Sequence, residues 1–184
     1  MMAAKSESLG DRERLLRDAI GGDEGAFDAL IGPVLDPGFK LALVLLGDRD
    51  EAEDVLQEST LRAWRKLRQL RGSDPKPWFL AIVTRQCHTA RRSRWRSVLK
   101  VGQELTSHSR GDPAAGEADL ERALRLLHPK YRSVLFLHFY LDLPLAEVAE
   151  ALGLSVSATK SRLHRSLRRL RPALEYDRED DLDG

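Results

Sequence analysis

The chain has 184 residues, 42% hydrophobic and 32% charged, with 30 Lys and Arg against 29 Asp and Glu, which is enough apolar content for one domain or two small ones. Its single cysteine, Cys87, excludes an internal disulfide and any multi-cysteine zinc site, so no metal or cofactor is expected. Neither a charged-then-apolar leader nor an apolar run long enough to cross a bilayer is legible, so the expected setting is cytoplasmic, without membrane insertion.

The near-zero net charge conceals a strong separation. Residues 1–61 carry six basic and fourteen acidic side chains, net −8, and residues 62–110 carry thirteen and two, net +11. Residues 111–157 come to −3, residues 158–174 to +6 and residues 175–184 to −5. Two basic segments embedded in acidic ones imply two nucleic-acid contacts. No segment alternates apolar with polar as a half-buried strand does, so the predicted fold is all-α.

In chain order, Met1 to Gly10 reads as disordered and Asp11 to Ile20 as a short helix, closed by Gly21 and Gly22. Asp23 caps the next helix, whose Ala26, Phe27 and Leu30 point inward. Gly32, Pro33, Pro37 and Gly38 are expected to interrupt it before an apolar run, Phe39 to Leu46, buried on most sides. Gly47 then stops the chain and Asp48 restarts it.

From about Asp50 to Leu70 a helix places Ala52, Val55, Leu56, Ser59, Thr60, Ala63, Leu67 and Leu70 on one arc. Asp54, Gln57, Glu58, Leu61, Trp64 and Arg65 fall on the other. A Leu and a Trp among acids and an amide suit a protein interface, in which an aromatic anchors and charges orient. Equally, Trp64 could simply cover a neighbouring helix.

A loop through Gly72, Ser73, Asp74, Pro75 and Pro77 precedes a long helix starting near Trp78. Phe79, Ile82, Val83, Gln86 and Ala90 share one side, bordered by Cys87; Ala81, Thr84, Arg85, His88, Arg91, Arg92 and Trp95 share the other. Cations interleaved with an aromatic fit a surface that tracks a nucleic-acid backbone and stacks bases of a single strand. The plain alternative is a solvated basic helix end. Cys87 beside His88 reads as a small core thiol, since no second ligand pair lies nearby.

Ser97 to Glu117 is rich in Gly, Ser and Thr and reads as a flexible linker. Leu120, Leu124 and Leu127 make a short helix, Pro129 opens the next, and Val134, Leu135, Leu137, His138 and Leu141 give it a core face. In Pro144 to Leu174, Leu145, Val148, Ala149 and Leu152 recur at helical spacing, Gly153 allows a sharp turn and Ser155 caps a second helix. Two helices joined so tightly form a helix-turn-helix. Thr159, Leu163, Ser166, Leu167 and Leu170 line one side of the second helix. Ser157, Lys160, Ser161, His164, Arg165 and Arg168 line the other, the mixture of short hydroxyls and cations that a major-groove helix requires. An ordinary basic bundle helix is the competing reading. The tail from Tyr176 is acidic and expected to be disordered.

GDRDEAEDVLQESTLRAWRKL followed by PWFLAIVTRQCHTARRSRWR resembles the second conserved region of bacterial sigma factors, and LHPKYRSVLFLHFYLDLPLAEVAEALGLSVSATKSRLHRSLRRL resembles their fourth. The small size and the lack of other regions resemble the extracytoplasmic-function group. The resemblance implies two small helical domains, region 2 over residues 23–96 and region 4 over 118–174. Around them lie an N-terminal extension (1–22), a linker (97–117) and an acidic tail (175–184).

It further implies that Asp54, Gln57, Glu58, Leu61 and Trp64 dock on core RNA polymerase. Ser73, Asp74, Lys76, Trp78, Arg85, His88, Arg91, Arg92 and Trp95 would open and hold the minus-ten element. Ser157, Ala158, Lys160, Ser161, Arg162, His164, Arg165 and Arg168 would read the minus-thirty-five element as duplex. The expected partners are core polymerase, promoter DNA and an anti-sigma factor, with no small-molecule substrate and no catalytic residue. Thr159 departs from the family's usual Val or Ile, and Gly32-Pro33 interrupts a helix that the family commonly keeps continuous.

Two other classes compete. A stand-alone helix-turn-helix regulator would bind specific duplex unaided. An enzyme would need its chemistry from His88, His108, His128, His138 and His164, which lie in separate segments without ligand spacing or a partnered nucleophile.

Overall fold

The computed structural model describes residues 2–72, 74–101, 123–124 and 126–180, with side chains over 10–72, 74–93, 123–124 and 126–171. Among these residues there are seven α-helices and no strand. Ser73, the 102–122 stretch and the side chain of Trp95 lie outside what is described.

The first half is a bundle of four helices. Helix α1 spans Met2–Ile20, so the expectation of disorder before residue 11 is corrected. Gly22, at φ 101°, makes the turn, and Asp23 caps α2 by accepting the Ala26 amide at 2.9 Å. Helix α2 runs unbroken over Glu24–Leu46, through both prolines that were expected to end it. Pro33 and Pro37 lie one turn apart on its outer side, Pro33 exposed and Pro37 half-exposed. The carbonyls they free, at Ala29 and Pro33, therefore open toward water, which is where a helix tolerates proline.

The same helix corrects the expectation that nothing here could span a bilayer. Glu24–Leu46 is long and apolar enough by length and composition. Its buried residues, Leu30, Ile31, Leu41 and Leu45 among them, pack on α1, α3 and α4, while Asp28 and Asp36 stay exposed.

Gly47, left-handed at φ 74°, ends α2, and the Asp48 carboxylate accepts the Glu51 amide at 2.9 Å to start α3, Arg49–Lys66. A 3-10 turn over Leu67–Gln69 follows. The predicted inner arc of α3 holds: Ala52, Val55, Ser59, Ala63, Leu67 and Leu70 are buried. Helix α4 covers Pro75–Val101. It starts three residues earlier than expected because Asp74 takes the Lys76 amide at 3.0 Å and both prolines sit in the first turn, where no backbone donor is needed. It also runs past Ser97, where the linker was placed.

In the second half residues 123, 124 and 126 are helical, and α5 follows over Pro129–Leu135, where His128 Nδ1 accepts the Lys130 amide at 3.2 Å. A single π turn, Phe136–Tyr140, widens the chain. Helix α6 spans Leu145–Leu152 and α7 spans Val156–Asp180, so α7 continues into the tail that was expected to be disordered. Val148, Ala149, Thr159, Leu163, Ser166 and Leu170 are buried as predicted; Leu167 is not, at 38% exposure. The Ser166 hydroxyl donates to Tyr131 O at 3.1 Å and ties α7 to α5.

The two halves pack on each other, α6 against α4 and α5 against α2. Lys76 Nζ donates to Leu141 O at 3.0 Å, and the Lys40 ammonium lies 5.5 Å from the Tyr140 ring centroid. This contact corrects the assignment of Ala81 and Thr84 to an exposed side: they are 8% and 2% exposed. Periodicity had found one buried face of α4, whereas α6 buries part of the second.

Candidate nucleic-acid interface

Helix α3 shows its outer arc to solvent. Asp54, Gln57 and Arg65 are exposed, and Leu61 is 53% exposed, a large apolar side chain offered to water. Glu58 is half-exposed and accepts from Arg62 Nε at 2.7 Å, a one-turn ion pair worth about 0.3–0.5 kcal/mol at such a surface. Trp64 departs from the others: its ring meets Phe27 edge-on, centroids 5.0 Å apart, so most of it covers α2.

Around α4, Asp74, Arg85, His88 and Arg92 are exposed, and Lys76, Trp78 and Arg91 half-exposed. Trp78 and Arg85 line a cleft of about 130 Å³ that Arg62, Lys66, Gln69 and Gln86 complete from α3, the following turn and α4. Arg62, Lys66 and Gln69 were not singled out from the sequence. Their i, i+4, i+7 spacing was the available signal, a polar stripe beside the predicted interface arc. One wall of the cleft is Glu150, from α6.

The helix-turn-helix is built as its residues dictate. Gly153, at φ 64°, donates to Glu150 O at 3.1 Å while Leu154 donates to Ala149 O at 2.8 Å, satisfying the last carbonyls of α6. Ser155 Oγ accepts the Ala158 amide at 3.1 Å. Buried Thr159 donates its hydroxyl to Ser155 O at 3.0 Å, which gives this polar residue a partner where an aliphatic one was expected. Ser157, Ala158, Lys160, Ser161, His164, Arg165 and Arg168 are all exposed on α7, and Arg162 is half-exposed. Arg169 is held away from this set, its guanidinium 4.6 Å from the Tyr131 ring centroid.

The fold brings part of the two basic surfaces together. His88, open to solvent on one side, is held below its ordinary value of 6.5 by partial desolvation and then by Arg91, Arg162 and Arg92. His128 is lowered by desolvation, Lys130, Arg91 and Arg162 in turn. Arg162 of α7 is therefore close enough to α4 for its charge to be felt there. Glu147 of α6 is raised from 4.5, first by burial, then by Asp74, with Lys76 opposing. Among the described residues no group of His, Cys, Asp and Glu could hold a metal ion.

Residues 32–97 match the family described as Sigma-70 region 2, and residues 117–170 match Sigma-70, region 4. The ECF RNA polymerase sigma factor SigL of Mycobacterium tuberculosis is 32% identical over 146 residues, covering 74% of this chain and 82% of that protein. The RNA polymerase sigma-E factor of Streptomyces coelicolor is 32% identical over 157 residues, covering 80% and 85%. Among solved structures, the sigma factor RpoE of Bartonella quintana, in complex with the anti-sigma factor NepR, superposes with a TM-score of 0.71 at 25% identity. It covers 81% of this chain and 96% of that one.

Proposed function

Because the chain belongs to the extracytoplasmic-function RNA polymerase sigma factors, we propose that it binds core RNA polymerase and directs promoter recognition, promoter melting and transcription initiation. The observation that carries this reading is the pairing, in one chain, of an acidic, Leu61-bearing face on α3 with the cationic outer face of α7. Residues 23–96 and 118–174 act as the two working domains, with 97–117 between them.

Asp54, Gln57, Glu58 and Leu61 form the polymerase contact, and Trp64 holds that helix in place through Phe27. Ser73, Asp74, Lys76, Trp78, Arg85, His88, Arg91, Arg92 and Trp95 take the minus-ten strand. Opening a step costs a few kcal/mol of unstacking, which aromatic stacking and phosphate contacts offset. Ser157, Ala158, Lys160, Ser161, Arg162, His164, Arg165 and Arg168 lie in the major groove at minus thirty-five, hydroxyls close to the backbone and arginines toward base edges. Tethering both units to one polymerase lets each bind at high effective concentration, so neither needs high affinity alone.

The chain performs no catalytic step; nucleotide addition belongs to the polymerase, which places the protein in the cytoplasm. A solved relative is bound to an anti-sigma factor, and an anti-sigma factor restrains this chain in the same manner. Run-off transcription with core polymerase over a genomic DNA library tests the proposal: discrete start sites that depend on this protein are expected. Specific, tight duplex binding without polymerase, together with no initiation, would instead identify a stand-alone regulator.

A further inference from the structure

Between the end of α3, the first turns of α4 and one side chain of α6, we infer that the chain carries a binding site for a free guanine nucleotide, a guanosine diphosphate or triphosphate. Neither of the two DNA contacts requires such a site.

The cleft of about 130 Å³ is lined for a flat base with a charged tail. Its floor is apolar, because Ala81 and Ile82 of α4 are buried there, and the half-exposed Trp78 stands one turn before them. A purine entering the cleft would displace water from both surfaces and stack on the indole. Around the rim, Arg62, Lys66 and Arg85 are exposed cations from two helices. Arg62 is shared with Glu58 at 2.7 Å, and that carboxylate lies outside the lining. Three cations on one rim are the complement of a diphosphate tail.

The carboxylate in the wall selects the base. Glu150, exposed on α6, is the single acid among the lining residues. It repels phosphates, so it is misplaced on a surface that only tracks a nucleic-acid backbone. A carboxylate accepts two hydrogen bonds side by side, and guanine offers two adjacent donors, N1–H and the N2 amino group, on its pairing edge. The other bases would each set an acceptor against Glu150, leaving it poorly paired. Gln86, 9% exposed, brings an amide that can donate to the guanine O6.

Trp78 and Arg85 also belong to the minus-ten set, so an occupied cleft would withdraw both from the promoter strand. That consequence rests on the sigma-factor reading; the binding itself does not.

The test titrates the full chain with GDP, ADP and guanosine by calorimetry. GDP is expected to bind about tenfold more tightly than ADP, which lacks the paired donors, and about tenfold more tightly than guanosine, which lacks the phosphates. Glu150→Gln should erase the preference for GDP over ADP, and Lys66→Ala should narrow the gap between GDP and guanosine. Circular dichroism establishes that both variants are folded. GDP should also displace a fluorescein-labelled single strand from the parent, read by anisotropy.

No GDP binding up to about 1 mM, equal affinity for GDP and ADP, or an undiminished preference in folded Glu150→Gln overturns the site. If the protein then still initiates transcription with core polymerase, the sigma-factor reading stands without it. A guanine-containing single strand that binds through Glu150 while GDP does not would assign the cleft to the promoter and overturn the free-nucleotide site. GDP binding that leaves the single strand in place keeps the nucleotide site and removes Trp78 and Arg85 from the minus-ten surface.

Discussion

Gly38 and Phe79 set the distance between α2 and α4: a Cβ on Gly38 would lie 2.8 Å from Phe79 Cε1 and 3.3 Å from Leu56 Cδ1. Phe79 is fully buried, so its ring has nowhere to retreat. Gly38→Ala is therefore expected to destabilise the protein by about 1–3 kcal/mol, even though alanine is the better helix former. Urea unfolding of the two proteins would measure this, and an unchanged midpoint would mean that the helices can separate freely.

Leu61 and Trp64 sit one turn apart on α3 but should fail in different ways. Leu61→Glu leaves the core intact and is expected to lower association with core polymerase at least tenfold, while stability moves by no more than about 0.5 kcal/mol. Trp64→Ala removes the edge contact with Phe27 and should cost about 2 kcal/mol of stability. Gel-filtration co-elution and thermal melts, run on both variants, separate the two effects.

On α7, Arg165 and its neighbour Ser166 face opposite ways. Arg165→Ala should reduce transcription through the upstream promoter element, a loss of about 1–3 kcal/mol in discrimination that vanishes when that element is scrambled. Ser166→Ala breaks the bond to Tyr131 O and should cost about 1 kcal/mol of stability, with no change in which promoters are used. Equal loss for Arg165→Ala on intact and scrambled templates would remove base reading from its role.

Burial pushes the Cys87 thiol up to about 12, against the opposing pull of a backbone hydrogen bond and then of Arg91. At pH 8 the thiolate is scarce and the sulfur is enclosed, so a thiol reagent should leave the native protein unmodified and label it on unfolding. Rapid labelling of folded protein would show that the α4 core opens.

Both His88 and His128 titrate below 6.5, since partial desolvation and neighbouring arginines disfavour the cation. Near that pH the unfolded chain binds more protons than the folded one, so stability should fall as pH drops from about 8 to about 6. Glu147, raised from a starting value of 4.5, acts in the opposite sense. His88→Gln should flatten the fall across that window; a melting temperature that rises on acidification there would contradict the arrangement of charges.

Much of the molecule was readable without coordinates because helical spacing and end signals are local. The inner arc of α3 from Ala52 to Leu70, the caps Asp23, Asp48 and Ser155, the left-handed Gly153 and the outward set on α7 all follow from residues a turn or two apart. What periodicity leaves open is what lies against a second face. Ala81 and Thr84 share an arc with Arg85 and His88, and only the arrival of α6 from about 65 residues downstream buries them.

Tertiary structure also settled the prolines of α2, because whether a freed carbonyl is tolerated depends on whether it meets water or a neighbouring helix. The sequence by itself determined each helix, its caps and its apolar side, since these depend on neighbours along the chain. Only the fold decided which polar side stays wet, since that depends on what a distant segment brings to it.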